Sequence, residues 1–415
     1  MSDKPVLRLR AFGDALAAGD PVEFTVASAT LLPNPLTAAG RAFEPVEVAL
    51  PALTVGRHTL TVTVAGKGAT DAVRREISVV PSRLAGVRTD VTEVAAGGSW
   101  KPAAETVPTR VVVADHNRGR WYPVLASLAA GSGDRVDQAL AREVAGSLLA
   151  EHFDEGPAPE TGFNGSAYQT RTGGIAILPF ADADLTVSAR IAALAPDHFA
   201  RQGLARYFRS VRDDPDETRE RAIVALYGLA ALGEHVLDDV QRVAAIDDLP
   251  VREQLYAGLA AAELGDLTTA GHLYRAVLES AGEQRGPELR VNAGTDRDDV
   301  AEATSLASIL GAALAGEAAP RLAAYLASNP AEDLLLELEQ LSFLSAALPR
   351  LASDPVRFSY TLGGKREDRR LGRGESMALF LAPDAMAQLD LRVSEGTASV
   401  ARAVTVPLDP RAVQP

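Results

Sequence analysis

Eight consecutive residues gather chemistry at the head of a long helical pattern: Gly131-Ser132-Gly133-Asp134-Arg135-Val136-Asp137-Gln138. Polar side chains in that position can form a reactive loop, a binding loop or a cap. Asp134 has the type and place of an N-cap, and Asp137, three residues later, those of the acid in a capping box. Both carboxylates suit the positive end of the helix that continues from Val136 to His152. Capping accounts for the two Asp and leaves Arg135 and Gln138 for a hydrogen-bonded network. A second pair of acids, Asp182 and Asp184, stands in "TGGIAILPFADADLT". Carboxylates two apart could bind Ca²⁺ or act as an acid–base pair, as in glycosidases built on helical toroids. Sugar sites add aromatic platforms, and the aromatics of this region, Phe180 included, form no close-spaced platform with these acids; Asp184 is also a good cap for a helix starting at Leu185.

Other chemistries are excluded by composition. The chain has no cysteine, so it has no disulfide, thiolate nucleophile or cysteine metal site. The six histidines, His58, His116, His152, His198, His235 and His272, are scattered, without HExxH or another close metal pair. No metal and no cofactor is expected. With 41 Lys and Arg against 55 Asp and Glu, the net charge of -14 argues against a broad nucleic-acid or anionic-membrane surface. One basic cluster stands out, "GGKREDRRLGRGES", where Lys365, Arg366, Arg369, Arg370 and Arg373 are offset by Glu367 and Asp368. It reads as a solvated hairpin loop and a candidate protein-docking loop; without interleaved aromatics it does not read as a nucleic-acid site.

Several elements must position these residues. A chain of 415 residues is expected to form two to four domains. Aromatics make up only 5%, so Leu, Val and Ala must build the core. The first hundred residues read as β, notably Thr59-Thr61-Thr63 alternating with Leu60-Val62-Val64, and a β-sandwich buries such strands economically. Residues from Trp100 to Val111 read as extended. Eleven helical patterns follow to about Leu351, among them Tyr122–Ala130, Val136–His152, Leu185–Leu194, Phe199–Arg209 and Val300–Leu314. Their links are short and bear Gly, Pro or Asp, and small residues recur in "ALYGLAALGE" and "YAGLAAAELGD". The rhythm fits an open helical solenoid of tetratricopeptide type or a closed α/α toroid. The lack of a constant period favours the toroid. The last sixty residues return to β, so strands from both sides of the helical insert could share one domain. No segment reaches the roughly 18 apolar residues of a membrane span, and no apolar run of signal length opens the chain. A complete chain is expected in the cytoplasm; a piece of an exported protein is expected outside it or in the cell envelope.

The order of these pieces resembles the thioester region of bacterial alpha-2-macroglobulin-like proteins. "GRHTLTVTVAGKGATDAVRREISVVP" is similar to the β segment that precedes it, with Thr70-Asp71-Ala72-Val73 and Ile77-Ser78-Val79-Val80-Pro81 in the matching phrases. An extended link, "VPTRVVVAD", and a first helix near "RWYPVLASLAA" lead to "GSGDRVDQ", where the family carries Y-P-x-G-C-x-E-Q. Gly173-Gly174-Ile175, Phe180 and Asp184-Leu185-Thr186 answer the family's next turn and acid-capped helix. The resemblance spans roughly Pro51 to Pro410.

It implies a multidomain α and β fold: an α/α toroid flanked by antiparallel β-sandwich domains. The corresponding spans are a macroglobulin-like region over 1–99, a thioester-like domain over 100–351 and a C-terminal β domain over 352–415. Family members trap proteinases, and competent ones acylate nucleophiles through a thioester between cysteine and glutamine. Matched to that motif, Asp137 and Gln138 take the Glu-Gln positions, Asp134 the glycine and Arg135 the cysteine. Arg135 cannot supply sulfur, so Asp134, Arg135, Asp137 and Gln138 are expected to form a degenerate thioester-like loop without covalent capture. The implied function is a non-catalytic macroglobulin-like protein or fragment whose partner is a proteinase or another protein. An α/α-toroid enzyme of glycosidase or cyclase type and a helical-repeat scaffold are the alternatives.

Overall fold

In the computed structural model the chain divides into two units, Met1–Ala85 with Pro407–Pro415, and Gly86–Val406. The structure describes residues 5–51, 53, 56–79, 85–103, 105–156, 162–329 and 336–407. The first unit is antiparallel β. Leu36–Arg41, Pro21–Ala27, Gly56–Gly66 and Ala69–Val79 form a four-stranded sheet in that order, and Val6–Leu9 pairs with Val46–Ala49. Apolar residues from both sheets, such as Val26, Leu60, Val48 and Leu50, share one core, as the alternation Leu60-Val62-Val64 leads one to expect. Lys67-Gly68, both with positive φ, close the two long strands in the tight turn whose twist suits a hairpin.

The second unit combines a sandwich with a helical body. One sheet has the order Lys365–Leu371, Val356–Leu362, Asp390–Glu395, Ser99–Trp100. The other has Ser376–Leu381, Thr109–Asp115, Thr397–Pro407, Ala85–Ala95. Val111, Val113, Phe358, Leu391 and Val400 fill the space between them. Residues 85–115 and 356–407 therefore share one sandwich, so the divisions expected at 99 and 351 do not separate it. Thr109–Asp115 explains why. Val111 and Val113 face the sandwich core, while Val112 and Ala114 face the helical core. A strand covered on both faces reads as a continuous apolar run rather than an alternation, which is why "VVVA" looks like a link in the sequence.

The helices are α1 (His116–Gly119, one turn), α2 (Tyr122–Ala129), α3 (Val136–Phe153), α4 (Leu185–Leu194), α5 (Arg201–Arg212), α6 (Arg219–Ala231) and α7 (Leu237–Ala244). They continue with α8 (Val251–Glu263), α9 (Leu267–Ala281), α10 (Arg297–Ala313), α11 (Ala319–Ser328), α12 (Leu336–Ala347) and the turn α13 (Pro383–Met386). The even helices from α4 onward pack in a cycle: α4 on α6, α6 on α8, α8 on α10, α10 on α12, and α12 back on α4. The odd helices flank it, α5 on α6, α7 and α9 on α8, α11 on α10. Composition explains the two rows. The run Ile223–Ala230 of α6 is buried throughout, as expected for a helix apolar all round, whereas α7 buries only Val240. Small residues permit the close approach: a Cβ on Gly228 of α6 would meet the Phe208 ring of α5 at 2.5 Å. An open superhelix would leave its first and last helices apart, but α4 and α12 touch.

Candidate functional site

The loop before α3 differs from the expected cap. Arg135, extended at φ -69 and ψ 145, is the N-cap residue, and it makes no side-chain cap bond. Asp134 is exposed, and its carbonyl accepts from the Tyr168 hydroxyl at 2.9 Å. The first helical N–H, that of Val136, donates instead to the carbonyl of Ile177 at 2.8 Å. A backbone acceptor from the neighbouring hairpin thus takes the place of a side-chain cap. Asp137 turns back on the loop and is only 1% exposed. Arg135 grips it bidentately, Nε to Oδ1 at 3.1 Å and Nη2 to Oδ2 at 3.0 Å. Gln138 lies against Gly133, whose φ of +146 and lack of Cβ make room for the amide. Arg142, a turn further on, donates to the Gly133 carbonyl at 3.2 Å. The structure therefore brings Asp134, Arg135, Asp137 and Gln138 together, with Arg135 and Asp137 as its charged centre. Glu337 on α12 also feels this centre: burial raises its carboxyl, with a contribution from Asp137, against the opposing pull of Arg135.

The neighbouring segment is held at several points. Gly173, at φ +98, lies so close to the Gly203 carbonyl of α5 that a Cβ would collide with it. Gln169 bridges both sides, donating to Gly173 and Ala200 carbonyls at 2.9 and 3.1 Å and accepting from the Ala200 N–H at 2.8 Å. Asp184 caps α4 by accepting from the Val187 N–H at 2.8 Å, as its position suggests. Asp182 and Asp184 are both exposed at the end of the hairpin formed by Ile175–Ala176 and Ala183–Asp184.

The basic cluster is not a loop. Lys365–Leu371 is an edge strand paired with Val356–Leu362, and the turn is Gly363-Gly364, both at positive φ. A strand alternates its faces, so same-face residues two apart pair with each other: Lys365 and Arg369 with Glu367 at 3.2 and 2.8 Å, Arg366 with Asp368 at 3.2 Å. Three of the five cations of the cluster are thus paired with the two carboxylates of their own strand, while Arg370 is exposed. Charge on an edge strand also blocks pairing with another chain.

A second polar centre escapes sequence inspection. Each of the five helices of the cycle contributes a polar side chain to it: Arg190 from α4, Tyr227 from α6, Tyr256 from α8, Glu302 from α10 and Glu339 from α12. Arg190 is 1% exposed and lies 3.1 Å from Glu339 and 3.7 Å from Glu302. Tyr256 receives an Arg190 bond at 3.4 Å and donates to Glu302 at 3.3 Å, with Arg252 completing the group at 2.9 Å from Glu302. Burial raises the Glu339 carboxyl, and Arg190 counters it. The only sequence signal is one charged residue within an apolar helix, and it carries no hint of its partners. Among the described residues, no group of three or more His, Asp or Glu is placed to hold a metal ion. No described helix is long and apolar enough to cross a membrane.

No protein-family model and no curated protein matches the sequence. Solved structures do. The native conformation of alpha-2-macroglobulin from E. coli is similar over 98% of this chain and 30% of its own, at 14% identity and a TM-score of 0.52. Salmonella alpha-2-macroglobulin reacted with methylamine is similar over 98% of this chain and 31% of its own, at 15% identity and a TM-score of 0.52. The chain spans under a third of the length of either protein. Across nearly all of its own length, it shares the fold of bacterial alpha-2-macroglobulins.

Proposed function

We propose that the chain is a macroglobulin-like module that works by non-covalent protein interaction, with its even helices from α4 onward as the inner ring of an α/α toroid. The carrying observation is the loop at the head of α3. In the family motif that position needs cysteine, and here Arg135 occupies it, engaged with buried Asp137. Without a cysteine thiol anywhere in the chain, a thioester to Gln138 has no sulfur to form from. The loop reads as a degenerate reactive site whose scaffold is retained by an ion pair. The partner is a proteinase or another protein, recognised by surface rather than by acylation. An enzyme of glycosidase type would need Asp182 and Asp184 to converge in a cleft; one caps a helix and both face solvent.

The test is intact-mass analysis after incubation with methylamine and with active proteinases. No adduct is expected on the wild-type chain. None is expected on Arg135→Cys either, because Asp134 and Asp137 also depart from the motif. A methylamine-dependent mass shift in that variant would contradict the loop's assignment. Saturable turnover of sugar or peptide substrates by the wild type would overturn the non-catalytic reading.

A further inference from the structure

The hairpin beside the degenerate loop ends in a feature that costs free energy in an isolated molecule. Phe180 is fully exposed, Leu178 is 45% exposed, and Phe180 holds φ +70. Pro179 and Phe180 are the central residues of a turn closed by the Ala181 N–H on the Leu178 carbonyl at 3.1 Å, and a positive φ at the third residue is what a type II turn calls for, so the turn itself holds the ring out in water. The finger is held from below by the pairs Ile175–Asp184 and Ala176–Ala183 and by the Val136 N–H on the Ile177 carbonyl. It carries two exposed acids, Asp182 and Asp184, within four residues of the ring.

A cavity of about 270 Å³ elsewhere in the same unit has the complementary character. Its apolar wall comes from Ala126, Ala129 and Leu149 of α2 and α3, and its rim holds Phe380, which is 71% exposed. Two cations line it. Arg110 is paired with Glu155. Arg142 contacts the Gly133 carbonyl and has no carboxylate partner among the described residues. The cavity is near the lower end of the size range for ligand pockets, on the order of 300 Å³, which suits one aromatic side chain with its neighbours.

We infer that the Leu178–Phe180 finger of one copy docks into this cavity of a second copy, with Asp182 or Asp184 meeting Arg142. The occupant is fixed by chemistry: an aromatic followed by acids fits an apolar cavity lined by an unpaired guanidinium. A finger and a cavity on different patches make a heterologous contact, which either closes reciprocally as a dimer or continues to higher mass. A single finger in a single cavity is a small contact, so association is weak and concentration-dependent.

The test uses the whole chain. Sedimentation velocity between about 10 μM and about 1 mM, the range of weak contacts, is expected to show weight-average mass rising with concentration. Raised salt should reduce that rise, because it screens exposed charge pairs. Phe180→Ala, which removes a ring that touches nothing, and Arg142→Glu should each abolish the rise with unchanged circular dichroism. Combining Arg142→Glu with Asp182→Arg should restore it. A labelled peptide, AILPFADAD (residues 176–184), should bind the wild type and lose about tenfold or more in affinity with Arg142→Glu, the order of effect of one lost charged contact. A chain that stays monomeric throughout overturns the inference, even if the peptide binds; the cavity would then take such a segment from another protein. Phe180→Ala associating as strongly as wild type overturns it as well.

Discussion

Arg135 and Asp137 carry the local argument. A carboxylate 1% exposed depends on its partner, and Arg135 supplies both bonds from a position about one-third exposed. Arg135→Ala is expected to destabilise the chain by about 1–3 kcal/mol, read as a lower urea midpoint with unchanged slope. Arg135→Ala with Asp137→Leu should recover part of that loss, because no buried carboxylate then remains. Glu263 gives a second prediction at this scale. It closes α8 with its side chain still open to solvent, and desolvation by the surrounding protein raises its carboxyl above the usual 4.5. The folded state therefore keeps that proton to higher pH than the unfolded state does. Its contribution is full below about 4.5 and is lost as pH rises through the folded value. Glu263→Gln should match wild-type stability in acid and exceed it at neutral pH, measured by urea melts at both. The cap shows what sequence cannot resolve at this scale. Asp134 and Asp137 have capping types and spacing, yet the carbonyl of Ile177, some forty residues away in sequence, takes the N–H instead.

Among elements, the helices were the most legible part of the chain. Eleven patterns correspond to α2–α12, because Ala- and Leu-rich segments are punctuated by Gly, Pro and Asp. Their ends were less so: α10 starts at Arg297 rather than Val300, since its capped first turn, Arg297-Asp298-Asp299, looks like loop. The hairpin of Gly282–Arg285 and Glu288–Val291 was not read at all, being short and polar. Nor was the Arg190 centre, which exists only once five helices face one another. Arg190→Met would leave Glu339 and Glu302 without their shared cation, and a loss of about 3–5 kcal/mol is expected. Adding Glu339→Gln should return a substantial part of it. Thermal and urea unfolding of the single and double variants measure the coupling. Such a centre is weak evidence for stability; its value here lies in fixing which helices meet.

At the scale of the whole molecule, the β–α–β order was legible and the pairing of its two β parts was only an option. Strand Thr109–Asp115 decides it, because Ser376–Leu381 and Thr397–Pro407 hold its two sides. A chain ending at Leu351 would lack both neighbours and most of the sandwich core. It is expected to fail to fold cooperatively, seen as lost near-ultraviolet dichroism and rapid proteolysis, although the helical sequence is intact. A chain of residues 86–406 should instead show one cooperative transition, since that unit has its own cores. The same strand has a consequence in time. It leaves the ribosome at residue 115 and cannot be completed until residue 397 follows, a wait of tens of seconds at about 5–20 residues per second. During that interval one of the most apolar runs in the chain has open edges, so nascent-chain protection during synthesis should matter more for this protein than its helical content suggests.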